Sequence, residues 1–257
     1  MSSGGAGVRQ GTATEPLLPS SIPTDSHSVE GLEQPAAVTM VRNENLSRRA
    51  LPVQASALLF VAVVWSTILS TMSITRLALF GYHPLIQSIG ILLLLQAIVV
   101  LQRTSTHAPA EKKAAFNAHQ TINLLLVLPL FTVGASIMYY LHDQPGASHW
   151  ISYHGILGSL CVVVAWIQAA LGAASVWWKG KLVGGENKGK ALWKWHRLSG
   201  YVLVALFLTT AVLGVVETTW GKKNSSFFQK ILVVAALGLA ACAVLIRVQS
   251  SKLPKLA

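Results

Sequence analysis

Acidic side chains are scarce in this sequence. Nine Asp and Glu are spread over 257 residues, and charged residues of both signs make up only 11% of the chain, less than half the roughly 25% of an ordinary soluble domain. So little charge cannot clothe a surface that faces water. Cysteine is nearly missing too: Cys161 and Cys242 both fall inside apolar runs, where a thiol behaves as a small hydrophobe, so neither a disulfide framework nor a cysteine zinc site is implied. The apolar runs lack the two-residue alternation of a barrel strand, which excludes a membrane β-barrel. They also contain no Asp or Glu, so a proton or metal-ion path would lack acidic groups at intermediate depth.

Apolar length is what the chain has in abundance. Hydrophobic residues make up 53% of it, gathered into six runs at roughly 53–75, 82–101, 119–141, 151–175, 197–216 and 228–248. Each is long enough to cross a hydrocarbon core of about 30 Å at about 1.5 Å per residue. Without water to satisfy the backbone, such segments must be helices. The expected fold is all-α, an integral membrane bundle of six transmembrane helices. Residues 1–50, rich in Gly, Ser, Thr and Pro, read as a disordered cytoplasmic N-terminal tail. Residues 51–250 read as the transmembrane domain and 251–257 as a short cytoplasmic C-terminal tail. No apolar core lies near the start, so the first helix, not a cleaved leader, is the expected targeting signal.

The net charge of +11 suits a nucleic-acid partner only if a basic run carries aromatic interleaving or a recognisable binding fold, and none does. Membrane topology accounts for it better, because Lys and Arg accumulate in cytoplasmic loops. With the N-terminus inside, Arg48, Arg49, Arg103, Lys112, Lys113, Lys179, Lys181, Lys188, Lys190, Lys194, Arg197, Arg247, Lys252 and Lys255 are cytoplasmic, while Arg76, Lys222, Lys223 and Lys230 face the other side. Both termini are therefore expected in the cytoplasm. Vacuolar, endosomal and plasma membranes are not distinguished, and a homodimer is compatible with all of this.

Eight histidines occur. His27 falls in the tail, and His107, His142 and His149 in loops. The other four open helices two to five: His83, His119, His154 and His196. Consecutive helices run in opposite directions, so His83 and His154 belong near the outer face and His119 and His196 near the cytoplasm. In a square of helices two to five, two and four are diagonal, as are three and five, so each histidine pair can hold a group lying between them. A single interfacial histidine is usually only a boundary residue. Four on four consecutive helices, paired by side, fit the axial ligands of two b-type haems, with helices two to five as the haem-binding core. Gly158 and Gly200 stand four residues after His154 and His196, and Gly90 two turns after His83, on faces where a flat macrocycle would need room. Gln87, Gln96, Asn123 and Gln168 are polar groups for hydrogen bonds between helices or to a ligand histidine. The competing reading is a haem-free proton or metal-ion transporter using the same histidines.

These residues resemble the cytochrome b-561 family, in which four histidines on helices two to five hold two haems. The resemblance covers roughly residues 54–250. It is carried by Tyr82-His83-Pro84, His119 after a basic loop, His154-Gly155 with Gly158, and His196 with Ser199-Gly200. It implies the pairs His83/His154 and His119/His196, two haem b per chain, and oxidoreductase activity from cytosolic ascorbate to monodehydroascorbate or a ferric chelate across the membrane. Where ascorbate-specialised members end the second helix with aromatic and arginine-rich sequence, this chain has Val100-Leu101-Gln102-Arg103, and it is more similar to the compact stand-alone branch. An anionic donor would be drawn to cations beside the inner haem, for which Lys112, Lys113, Lys194 and Arg197 are the candidates. His142, His149 and Arg76 flank the opposite end, where solvated loop positions are the plainer reading.

Overall fold

The computed structural model describes residues 50–72, 75, 77–102, 104 and 108–254. The expected tail, apart from Ala50, lies outside the described residues, as do Arg76, Arg103, His107 and Lys255. Six helices are long and apolar enough to cross a membrane: α1 (Leu51–Thr71), α2 (Leu79–Gln102), α3 (Pro109–His142), α4 (Tyr153–Val176), α5 (Glu186–Val216) and α6 (Phe227–Ile246). No strand occurs among the described residues. The fold is the expected all-α, multi-pass membrane bundle.

Helix boundaries follow local chemistry. Pro52 and Pro109 stand in the first turns of α1 and α3, where a missing N–H leaves no bond unmade. Ser152 caps α4 by accepting from Gly155 N at 3.1 Å. Ser226 opens α6 with a reciprocal capping box: its Oγ accepts from Gln229 N at 3.2 Å, and its own N donates to Gln229 Oε1 at 2.8 Å. Ser226→Ala is therefore expected to cost about 1 kcal/mol, read as a lower thermal-unfolding midpoint in detergent with an unchanged visible spectrum.

Two helices begin earlier than their apolar runs. α3 starts at Pro109 rather than 119, and α5 at Glu186 rather than 197. An apolar window detects only the part embedded in hydrocarbon. The preceding segments, Pro109–Ala118 and Glu186–Trp195, are polar but rich in Ala, Glu and Lys, which favour helix, and Glu186 pairs with Lys190 one turn on at 2.6 Å. His119 and His196 thus do not open their helices; each sits almost three turns inside. His83 and His154 do lie near helix starts. Within α3, Asn123–Val127 forms a π-helical turn in which Leu128 N donates to Asn123 O. Pro129 follows directly and has no N–H to give its preceding turn, so the wider turn accommodates it.

α1 packs on α2 and α6, α3 on α2 and α4, α4 on α5, and α5 on α2 and α6. The four helices α2 to α5 form a ring, with α2 diagonal to α4 and α3 to α5. Between the two ends of the bundle the interior is apolar, centred on the stacked rings of Phe131 and Phe207, whose centroids are 4.3 Å apart. Gly90 makes room for that stack, since a Cβ there would meet Phe131 Cε1 at 2.6 Å.

Candidate haem site

Each of the four histidines is placed by a neighbouring helix. His83 Nδ1 lies 2.8 Å from Gly134 O of α3, His119 Nδ1 2.9 Å from Ala97 O of α2, and His154 Nδ1 2.8 Å from Thr210 O of α5. A carbonyl oxygen can only accept, so in these three rings Nδ1 carries the proton and Nε2 keeps the lone pair that binds a metal. The pattern is reciprocal between α2 and α3: each helix anchors the other's histidine at the opposite end of the bundle.

The anchors also fix the two levels. Along α3, Gly134 lies fifteen residues beyond His119, and along α5 Thr210 lies fourteen beyond His196. At about 1.5 Å per residue this separates the levels by about 21 Å. At one level the rings of His83 and His154 face each other with centroids 5.9 Å apart and planes 88° apart. At the other lie His119, held by Ala97 O of α2, and His196, whose ring borders Gly172 of α4. The diagonal pair His83 and His154 is thus brought face to face, while His119 and His196 lie at the other level.

The donor set fits a haem. His196 Nδ1 is buried without a hydrogen-bond partner, a costly state in an apolar interior that a small reorientation of the ring around a bound group would relieve. The rings also lie in cradles that a side chain would fill. A Cβ on Gly214 would stand 3.0 Å from His154 Cε1, and one on Gly172 would stand 2.9 Å from His196 Cε1. These glycines lie on the facing helix, which reasoning along a single helix cannot find. At the glycines on the histidines' own helices the space is more open: a Cβ on Gly158 would have only Thr210 Cγ2 within 4 Å, at 3.4 Å, and one on Gly200 only Gln168 Nε2, at 3.1 Å. Among the described residues no group of three or more His, Cys, Asp or Glu gathers to hold a bare metal ion.

The buried polar residues mostly join helices. Gln54 Nε2 donates to Gln96 Oε1, Gln87 Nε2 to Phe131 O, and Gln168 Nε2 to His196 O. Of the four expected polar groups, Asn123 approaches a candidate ring nitrogen: its Nδ2 donates to His119 O at 2.8 Å and lies 3.4 Å from His119 Nδ1. Sequence reasoning missed Glu217, whose Oε2 accepts from His154 N at 3.4 Å. The available signal was that so few acids occur after the tail.

Of the candidate cations at the His119/His196 end, Arg197 is drawn into a cluster that also contains Lys252. Arg197 Nη1 donates to Lys252 O at 2.7 Å, and Lys252 Nζ donates to Thr104 O at 2.7 Å. Partial burial, then the neighbouring Arg197 and Lys112, hold the Lys252 ammonium below the usual lysine range. Lys112 thus acts on this cluster through its charge; Lys112, Lys113 and Lys194 are all exposed. At the opposite end His142 and His149 come together with ring centroids 6.2 Å apart; His142 Nδ1 donates to Ser148 O, and His149 Nε2 lies 3.7 Å from Asp143 Oδ1.

The family model described as eukaryotic cytochrome b561 matches residues 82–222, which contain all four histidines. Transmembrane ascorbate ferrireductase 2 of Arabidopsis thaliana is 29% identical over 140 residues, covering 54% of this chain and 57% of that protein. The chain thus matches a little over half the length of this relative.

Proposed function

Because the chain belongs to the cytochrome b561 family, whose members bind b-type haem, we propose that it carries single electrons across a membrane through two haems, one held by His83 and His154 and the other by His119 and His196. The observation that carries this reading is the disposition of the rings: His83 and His154 face each other at one level, His119 and His196 lie at a second about 21 Å away along the helices, and three of the four Nδ1 atoms are committed to carbonyls, which leaves Nε2 to ligate. Held by these four imidazoles, the bound haems would supply one-electron exchange and leave no site for oxygen chemistry. The protein's part is to orient the rings, to exclude water through the apolar centre around Phe131 and Phe207, and to select what meets each end.

Topology assigns the lysine-rich end to the cytoplasm. There Lys112 and Arg197, joined by Lys252, form the cationic surface that draws an anionic reductant toward the adjacent histidine pair; Lys113 and Lys194 add long-range attraction. The relative's name, ascorbate ferrireductase, supports ascorbate as the donor and a ferric chelate as the acceptor, with monodehydroascorbate as a second acceptor of matching one-electron chemistry. At the far end His142, His149 and Asp143 are the polar groups an arriving ferric chelate meets. The reaction is a transmembrane oxidoreduction with both termini on the donor side.

The test is a reduced-minus-oxidised visible spectrum with haem quantification on the purified chain, followed by ascorbate and then a ferric chelate. Expected are two b-type haems per chain, reduced by ascorbate and reoxidised by the chelate. Two haems indifferent to ascorbate would overturn the donor, and no haem after haem-replete expression would overturn the whole reading.

A further inference from the structure

Topology alone makes Arg247 a boundary residue, one more cation just past a helix end. An arginine there can extend along apolar surface and keep its guanidinium in water. Arg247 instead turns inward and is only 3% exposed. Its Nε donates to Gln102 Oε1 at 3.0 Å and its Nη2 to Val99 O at 3.3 Å. Gln102 is itself held, because its Nε2 donates to Val244 O at 3.0 Å and to Tyr201 Oη at 3.4 Å. The guanidinium is thereby fixed against the last turns of α2, with α5 and α6 around it.

The same stretch of α2 serves a histidine pair. Ala97 O, two residues before Val99, accepts from His119 Nδ1, and Tyr201 stands five residues after His196 on α5. The buried cation is therefore built into the elements that place His119 and His196, at one end of the bundle. His83 and His154 lie at the other level, about 21 Å away along the helices. Arg247 also falls outside residues 82–222, the part that matches the family.

A guanidinium does not lose its proton in a protein, so this charge is permanent. Reduction of a haem with two neutral imidazole ligands adds one electron and no ligand, lowering the charge at that place by one unit. A fixed cation nearby favours the reduced form, and one withdrawn from water is screened less than an exposed one. We propose that Arg247 sets the redox poise of the haem held by His119 and His196, keeping it easier to reduce, and leaves the other haem unaffected. This rests on the haem reading above.

The test is spectroelectrochemical titration of the full chain in lipid nanodiscs, comparing wild type with Arg247→Gln, Arg247→Lys and Gln102→Glu, with thermal unfolding measured alongside. Each is repeated with His154→Ala, so that the His119/His196 haem is observed by itself. Arg247→Gln should make that haem harder to reduce by tenfold or more in its equilibrium constant, about 59 mV for one electron. Arg247→Lys keeps the charge and should recover most of the potential. Gln102→Glu retains the arginine but sets a carboxylate against it, and should shift the same haem in the same direction as Arg247→Gln; it keeps the test available if Arg247→Gln does not fold. Unchanged potentials in Arg247→Gln or Gln102→Glu, equal shifts at both haems, or a fall in Arg247→Lys as large as in Arg247→Gln would overturn the proposal. Absence of any haem band in wild type, seen before titration begins, would remove the haem reading itself and this inference with it.

Discussion

Replacing His154 by alanine is expected to halve the haem content of the purified protein while leaving a normal b-type spectrum from the haem that remains. His154 faces His83 with ring centroids 5.9 Å apart, and its Nδ1 is tied to Thr210 O, so its Nε2 is the donor lost. A haem with one axial imidazole gone is held by a single bond and opens a coordination position. With that donor gone, loss of the cofactor is the expected result. His119 and His196 lie at the other level, so their haem should stay. His119→Ala is expected to give the mirror result, losing the other haem and keeping the one between α2 and α4. Pyridine haemochromogen quantification against protein concentration measures both. Loss of both haems from either variant, with the chain still folded, would mean that the pairs are not independent sites. No loss from His154→Ala would remove His154 from the ligand set.

The architecture was legible because membrane solvation imposes simple rules on sequence. Apolar length gave six helices, and alternating direction placed His83 with His154 and His119 with His196. Helix starts were misread where polarity and helicity part company. Pro109–Ala118 and Glu186–Trp195 are helical yet charged, so a search for apolar runs began α3 and α5 at the histidines themselves. Contacts between helices were less legible still. Gly158 and Gly200 share a face with His154 and His196, but the groups that border the rings are Gly214 and Gly172 on the facing helices. Which helices face each other, and at what register, depends on packing that one helix's sequence does not contain. Arg247 shows the same limit. Its charge and its place past α6 are visible in sequence, but its inward turn onto Gln102 and Val99 O depends on where α2 ends relative to α6.

The facing glycines carry the second large effect. A Cβ on Gly172 would stand 2.9 Å from His196 Cε1, and one on Gly214 would stand 3.0 Å from His154 Cε1 and 3.1 Å from its Nδ1. Valine adds two further carbons beyond that Cβ, so each substitution should force its histidine ring aside. Overpacking of this kind costs about 1–3 kcal/mol, which at about 1.4 kcal/mol per factor of ten weakens haem retention by roughly five- to more than a hundredfold. The helices themselves should tolerate the change, because valine is a better helix former than glycine, so the expected loss is of cofactor and not of fold. Gly172→Val should remove the haem at His119 and His196, where His196 Nδ1 is buried without a hydrogen-bond partner. Gly214→Val should remove the haem at His83 and His154, by driving His154 away from Thr210 O. Haem stoichiometry in the two variants, together with circular dichroism to show that the helices persist, separates the cases. Full haem content in both would mean that these glycines serve only helix packing. Loss of the opposite haem in either would overturn the pairing of His83 with His154 and of His119 with His196.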